Sequence, residues 1–166
     1  MSGDLVVVGC GDPTLRTDVL EPLGMGDPAS VLAELLRSVG VKRIQGRLLL
    51  DDRAFDREWV HPSWEPDDLD KDFAAPVGAL SLEGNCLQVR FDSGRGGERP
   101  IASLVLGASG YRLDNQVTWA DKSGRYQVWG RRPADDGALL LTGRISRGTI
   151  CPLLSVPARD ATQHFG

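Results

Sequence analysis

A chain of 166 residues, 41% of them hydrophobic and 25% charged, is long enough to form one sizeable hydrophobic core or two small ones. The net charge of −4 and the scattered basic residues argue against nucleic acid as a partner, because a phosphate backbone needs clustered lysine and arginine. No apolar run approaches the ~20 residues of a membrane span, and no signal peptide is expected at the N-terminus. Three distant cysteines and two histidines predict neither a disulfide framework nor a metal site, and we expect no cofactor.

The first element is a short strand at Asp4–Val8, which a glycine-rich turn follows. Gly9 and Gly11 after a strand are similar to the start of a dinucleotide-binding fingerprint, but Thr14 stands in place of the third glycine and Pro13 interrupts the required helix. The favoured interpretation is a tight turn or a close approach between backbones. A nucleotide-binding enzyme is kept as a minor alternative that would need a free pocket at this turn.

The clearest helix follows Asp27, which is suited to the N-cap, and Pro28, which is suited to the first helical position. Its apolar positions recur at helical spacing: Val31, Leu32, Leu35, Leu36 and Val39. Gly40 is predicted to end the helix. Strands are then predicted at Val41–Ile44 and Arg47–Leu50, so the first fifty residues have β-α-β order.

Short strands separated by turns dominate the second half of the chain. They are predicted at Cys86–Phe91, Ile101–Leu106, Asn115–Trp119, Arg125–Trp129 and Leu139–Ile145. A weak pattern in Ile150–Phe165 favours a helix near Pro157. The predicted fold class is α+β: a small α/β (β-α-β) layer in residues 1–78, which residues 150–166 would complete, and an antiparallel all-β subdomain in residues 79–149.

An acidic series at Asp68, Asp70 and Asp72 has the spacing that begins a calcium loop. Phe73 replaces the required glycine, and Ala79 stands where a bidentate glutamate is needed. The favoured interpretation is therefore a solvated acidic loop.

Two tryptophans, Trp59 and Trp64, lie on either side of His61 and Pro62. Large aromatic side chains usually anchor a core or a loop, and contact with a sugar or peptide is the minor interpretation. We identify no nucleophile for which His61 would act as a base.

The tripeptide Lys122-Ser123-Gly124 matches one signature of serine enzymes that react with penicillin. Those enzymes also need Ser-x-x-Lys and Ser-x-Asn, and the sequence contains neither motif. A serine without an activating base is inert, so this tripeptide is interpreted as a turn between strands.

An ordered set of segments nevertheless resembles the D-alanyl-D-alanine carboxypeptidases of the S13 type, which are class C low-molecular-weight penicillin-binding proteins. The segments are GDL at 3–5, GDPTL at 11–15, GVKRIQG at 40–46, LDDRAF at 50–55, WEPDDL at 64–69, FAAPVGALSL at 73–82 and RLDNQVT at 112–118. The chain departs from the family pattern at Ser63, Pro66 and Gly84. The resemblance covers most of the chain and weakens after Gly130.

The resemblance implies an exported serine-type hydrolase that acts on the stem peptides of peptidoglycan. In that family, accessory regions are inserted between the Ser-x-x-Lys and Ser-x-Asn motifs, which would explain why both are missing. The chain is then a non-catalytic accessory region that is inactive alone, has an extracytoplasmic location, and has the stem peptide and a penicillin-binding domain as partners. By position, Asp68 matches a family aspartate that contacts the amino end of the substrate's diamino acid, with Asp67 and Trp64 beside it. The alternative is a stand-alone module that binds cell-wall peptide or a protein without enzymatic activity.

Overall fold

The computed structural model describes residues 3–92, 97–105, 110–121, 123–133 and 135–160. Two α-helices lie in this part of the chain, α1 (Thr17–Leu20) and α2 (Pro28–Ser38). The strands are β1 (Leu5–Val8), β2 (Leu48–Asp51), β3 (Cys86–Asp92), β4 (Ile101–Leu104), β5 (Arg112–Asn115), β6 (Thr118–Trp119), β7 (Tyr126–Arg131), β8 (Ala138–Ile145) and β9 (Leu154–Pro157). The predicted α+β class is confirmed.

Strands β1 and β2 form a parallel pair with α2 in the connection, as the β-α-β order predicted. Leu5 pairs with Leu48, and Val8 pairs with Asp51. The strand predicted at Val41–Ile44 is wrong, because this segment completes the end of the helix. The Val41 N–H donates to the Leu36 carbonyl over 2.9 Å, and Gly40 takes a φ of 86°. These contacts form the motif that ends many helices at a left-handed glycine.

The start of α2 is also as predicted. The Asp27 carboxylate accepts a hydrogen bond from the Ser30 N–H at 3.0 Å, and Pro28 occupies the first helical turn. Such a cap supplies a partner for an N–H group that the helix itself leaves unpaired. The apolar stripe of the helix is only partly covered, because Val31 is buried whereas Leu35 and Val39 are exposed.

The second half of the chain folds into two sheets. In the first sheet β3 lies between β4 and β9, and both pairings are antiparallel. In the second sheet β8 pairs antiparallel with β7 but parallel with β5 and β6, so this unit is mixed and not wholly antiparallel as predicted. The predicted strand at 115–119 is interrupted because the Asn115 side chain accepts a hydrogen bond from the Val117 N–H at 3.1 Å.

The segment near Pro157 is a strand and not the predicted helix. β9 pairs with β3 from Cys86↔Pro157 to Val89↔Leu154, and the Ala158 N–H donates to the Asn85 carbonyl over 2.9 Å. This strand therefore adds to the β unit. Residue 161 onward lies outside the described residues, and so does Leu106 at the end of the strand predicted at Ile101–Leu106. The division of the chain at residues 78 and 149 stays a prediction.

The hydrophobic core lies in this β unit. Three strands, β3, β8 and β9, supply many of its fully buried members: Leu87, Val89, Leu139, Leu141, Ile145 and Val156. A Cβ at Gly130 would collide with the Val156 side chain, so a glycine lets β7 approach β9 closely.

A left-handed turn at Glu83–Asn85 joins the N-terminal part to this core. Glu83 and Asn85 have φ values of 52° and 55°, which non-glycine residues seldom adopt. The buried Glu83 carboxylate accepts hydrogen bonds from the backbone N–H and the hydroxyl of Thr17, at 3.0 and 2.5 Å. The turn therefore holds the start of α1 next to Glu83, which comes shortly before the first strand of the β unit, β3.

Candidate functional site

Residues 65–74 follow Trp64 and are called the acidic segment. They contain two short 3-10 turns, at Pro66–Asp68 and Asp72–Ala74. The Lys71 N–H donates to the Asp68 carbonyl over 2.8 Å, and this bond links the two turns. The backbone hydrogen bonds keep the segment compact, so its carboxylates have defined positions. Asp67 is exposed, whereas Asp68 is half-buried.

A groove of about 520 Å³ separates the acidic segment from the strands of the β unit. One wall is formed by Asp67, Asp70, Lys71 and Asp72. The other walls are formed by residues of β7, β8 and β9 and by the residue before β9: Val128–Arg131, Leu140, Thr142, and Leu153–Ser155. A concave site lined by apolar groups and a few charges is the usual setting for ligand binding.

Asp70 attaches the acidic segment to β7 and the residues after it. Its carboxylate accepts a hydrogen bond from the Arg132 N–H at 2.7 Å and lies 3.9 Å from the Arg131 Nε atom. Burial lowers the pKa of the Arg132 guanidinium, which lies beside this contact. Asp70 therefore has a structural partner on the far wall of the groove.

The other two carboxylates of the wall differ from Asp70. Within the described part of the chain, the side chains of Asp67 and Asp72 form no hydrogen bond or ion pair. Lys71 and Arg131 are the cations that line the same groove. Asp67 and Asp72 are thus available to bind a positively charged group of a ligand. Lys71 and Arg131 would repel a ligand whose groups are all positively charged.

The structure places the three predicted site residues differently. Asp67 lines the groove, but Asp68 and Trp64 are not among its lining residues. Trp64 is half-buried, and its backbone N–H donates to the His61 carbonyl over 3.1 Å. The structure therefore brings one of the three residues to the groove, and the substrate role of all three stays a prediction.

His61 has a local partner that the sequence interpretation did not identify. Its Nδ1 atom lies 2.6 Å from the Ser63 hydroxyl and accepts a hydrogen bond from the Ser63 N–H at 3.2 Å. Both residues are exposed and two positions apart. The arrangement is that of a side chain closing a local turn.

The most prominent groove residue that the sequence interpretation missed is Trp129. It was recognised only as part of a strand, yet its side chain is 57% exposed and lines the groove opposite Asp67. The period-two pattern of β7 was the available signal, because the preceding residue Val128 is buried and Trp129 must point to the other face.

The two alternatives based on glycine and aspartate spacing find no support. A Cβ at Gly9 would collide with the Ala79 backbone, and Gly11 packs against the Phe55 ring, so protein atoms occupy the space beside the turn. Among the described residues, no group of three or more His, Cys, Asp or Glu side chains could hold a metal ion. Ser123 and Gly124 lie in a turn, whereas Lys122 falls outside the described residues.

Among the described residues, no helix is both long enough and apolar enough to cross a lipid bilayer. The longest helix, α2, has 11 residues.

Comparison with known proteins extends the resemblance to the whole chain. It is 34% identical over 152 residues, 86% of its length, to a D-alanyl-D-alanine carboxypeptidase of Actinomadura sp. (strain R39), of which it covers 26%. It is 32% identical over 123 residues, 74% of its length, to the D-alanyl-D-alanine carboxypeptidase DacB of Haemophilus influenzae, of which it covers 24%. The chain therefore spans about a quarter of the length of these curated relatives.

The fold is similar to the crystal structure of penicillin binding protein 4 (dacB) from Haemophilus influenzae. The TM-score is 0.60 at 23% sequence identity, over 99% of this chain and 34% of that one. The family model described as D-Ala-D-Ala carboxypeptidase 3 (S13) matches residues 1–166. Because that match spans the sequence from end to end, the chain belongs to the D-Ala-D-Ala carboxypeptidase 3 (S13) family.

Proposed function

We propose that the chain is the accessory, non-catalytic region of a serine-type D-Ala-D-Ala carboxypeptidase that acts on peptidoglycan stem peptides. The observation that carries the proposal is a family match over all 166 residues of a sequence that has neither Ser-x-x-Lys nor Ser-x-Asn. The nucleophile and its base would then belong to another part of a longer protein. The location proposed with this function is extracytoplasmic.

Exposed apolar side chains support a partner domain. Val8 on β1 is 67% exposed and Val39 at the end of α2 is 75% exposed. Parallel sheets are normally covered on both faces, and a pair of strands with one helix leaves much of its apolar surface in water. The proposed partner for this surface is the penicillin-binding domain of the same protein.

Unneutralised carboxylates support the proposed contact with the stem peptide. Asp67 and Asp68 have no cationic partner in the described part of the chain, and Asp67 lines the groove. An ammonium group on the diamino acid of the peptide would form a charge-assisted hydrogen bond with either carboxylate. In water such a pair contributes only ~0–1 kcal/mol, so the full affinity would require burial against the partner domain.

The proposal is tested by titrating the full chain with a stem peptide that contains diaminopimelate. We expect weak, saturable binding that Asp67→Asn and Asp68→Asn each reduce by about threefold, and the double substitution by about tenfold. Acetylation of the side-chain amine of the peptide should have the same effect as the double substitution. Glu34→Gln on the exposed face of α2 is the matched control, since it removes one carboxylate that does not line the groove.

Two results would contradict the proposal. If both aspartate variants bind the peptide as tightly as the Glu34→Gln control, the acidic segment does not receive the ammonium group. If the chain forms a stoichiometric covalent adduct with a labelled penicillin, it is catalytic and the accessory role is wrong.

A further inference from the structure

The solvent side of β7 and β8 presents an exposed indole beside two arginines. In the antiparallel register, Gln127 pairs with Arg144 and Trp129 pairs with Thr142. A depression of about 380 Å³ on this side is lined by Arg125, Gln127, Trp129, Gly143 and Arg144, and we call these five residues the Trp129 face. The depression shares Trp129 with the groove beside the acidic segment, but neither Asp67 nor Asp68 lines it.

The charge of the Trp129 face is uncompensated. None of its five residues is acidic, and neither the Arg125 nor the Arg144 guanidinium has an ion pair or hydrogen bond within the described ranges. Some other exposed arginines have an acidic partner, as Arg53 has in Asp51 at 2.7 Å. In a chain with a net charge of −4, two free guanidiniums that line one depression favour an anionic ligand at this position.

The exposed indole indicates what the anion is attached to. Trp129 is 57% exposed although it lies in the middle of a strand whose neighbouring residue Val128 is buried. A flat ring that a sheet holds in place can stack on the C–H face of a pyranose, while the Gln127 amide and the guanidiniums donate hydrogen bonds to hydroxyl and acidic groups. Tryptophan and arginine are also the side chains that most often dominate binding energy at exposed sites.

A nucleic acid would also combine stacking with phosphate contacts, but the chain does not favour it. Binding along a phosphate backbone needs a basic stripe of many contacts, and carboxylates of the acidic segment line the groove that Trp129 also lines. We therefore propose that the Trp129 face binds a saccharide chain that carries carboxylate or phosphate groups. Trp129 also lines the groove of the proposed stem-peptide contact, but the two proposals are tested separately, because this one depends on Arg125 and Arg144 and not on the carboxylates of the acidic segment.

The test is calorimetric titration of the full chain with three probes. They are a tetrasaccharide of alternating glucuronate and N-acetylglucosamine, a glucosylated glycerol-phosphate oligomer, and the neutral N-acetylglucosamine tetramer. At least one anionic probe should bind with a Kd of about 1 mM or tighter, and the neutral probe should bind about tenfold more weakly. The stronger of the two anionic probes identifies the acidic group.

The variants separate stacking from charge. Trp129→Ala and the double variant Arg125→Gln with Arg144→Gln should each weaken binding about tenfold, whereas Trp129→Phe should retain most of it. Arg37→Gln, which removes one exposed cation from α2, is the matched control and should bind like the unchanged chain. Unfolding in urea verifies that each variant is folded.

Several results would overturn the proposal. Binding that Trp129→Ala leaves unchanged would exclude stacking, and equal loss with Arg37→Gln would show an unspecific charge effect. Polyglutamate or an oligonucleotide that binds as tightly as the anionic saccharides would exclude saccharide recognition. Absence of binding by both anionic probes up to about 10 mM would exclude the site altogether. Asp67→Asn should leave saccharide binding intact, so this proposal and the peptide contact can fail separately.

Discussion

Asn85 is the residue at which a single substitution should test the junction between the two parts of the chain. It is 3% exposed and has a φ of 55°. Its amide donates to the Pro76 carbonyl over 2.8 Å and accepts from the Leu82 N–H over 3.3 Å. Asparagine tolerates the left-handed conformation better than most residues and also supplies both hydrogen bonds.

Asn85→Ala removes both hydrogen bonds and places a side chain with a Cβ, but no polar group, in a left-handed position. Each lost bond costs about 1 kcal/mol and the conformation costs about 1 kcal/mol more, so we expect a loss of about 3 kcal/mol in the free energy of unfolding. Asn85→Gly loses the same bonds but adopts the φ value easily, and should lose about 2 kcal/mol. The difference between the two variants isolates the backbone contribution.

Urea unfolding of the full chain, followed by tryptophan fluorescence, measures both losses. The midpoint of Asn85→Ala should fall by about 1.5 M with an unchanged slope. A midpoint within about 0.3 M of that of the unchanged chain would refute the role of the amide hydrogen bonds. If the glycine variant unfolds before the alanine variant, the argument about the left-handed backbone is wrong.

Three further predictions concern the core, the pH dependence and the cysteines. Leu141→Ala should lower the free energy of unfolding by about 2–5 kcal/mol in the same urea assay, because Leu141 is fully buried and the cavity cannot collapse. Hydrogen bonds from the Arg53 side chain and backbone lower the pKa of Asp51 from 3.8 to about 2. The stabilisation by this pair is therefore complete above pH 3.8 and is lost as the pH falls through about 2; Arg53→Gln should move the NMR titration midpoint of Asp51 up toward 3.8. Burial raises the pKa of the Cys86 thiol to about 12, whereas Cys10 is exposed. Iodoacetamide at pH 8 should therefore modify Cys10 and leave Cys86 unmodified until urea unfolds the chain. Peptide mass mapping measures the modification of each cysteine.

Local signals in the sequence were enough for α2 and for most strands. Asp27, Pro28 and Gly40 predict the two ends of the helix because capping depends on residues next to each other in the chain. A helix was predicted near Pro157 because the pattern of residues 150–165 is weak, and a strand of four residues is too short to give a clear signal. Its conformation comes from pairing with β3, nearly seventy residues earlier.

Strand direction and the groove depend on contacts between distant segments. β8 pairs in parallel with β5 and β6 and antiparallel with β7, an arrangement that no local pattern encodes. Likewise, Asp67 was a candidate because of the family resemblance, whereas Trp129 was not, since its place in the groove depends on a segment sixty residues away. The sequence singled out one residue of the acidic wall, Asp67, as a site residue and none of the wall that faces it.

We propose that this chain receives a stem peptide but performs no chemistry on it. Both parts are tested by one proton NMR titration of the full chain with a diaminopimelate-containing peptide that ends in D-Ala-D-Ala. We expect the peptide resonances to shift saturably while no signal of free D-alanine appears during prolonged incubation. Accumulation of free D-alanine, or unshifted peptide resonances up to about 10 mM, would contradict the claim.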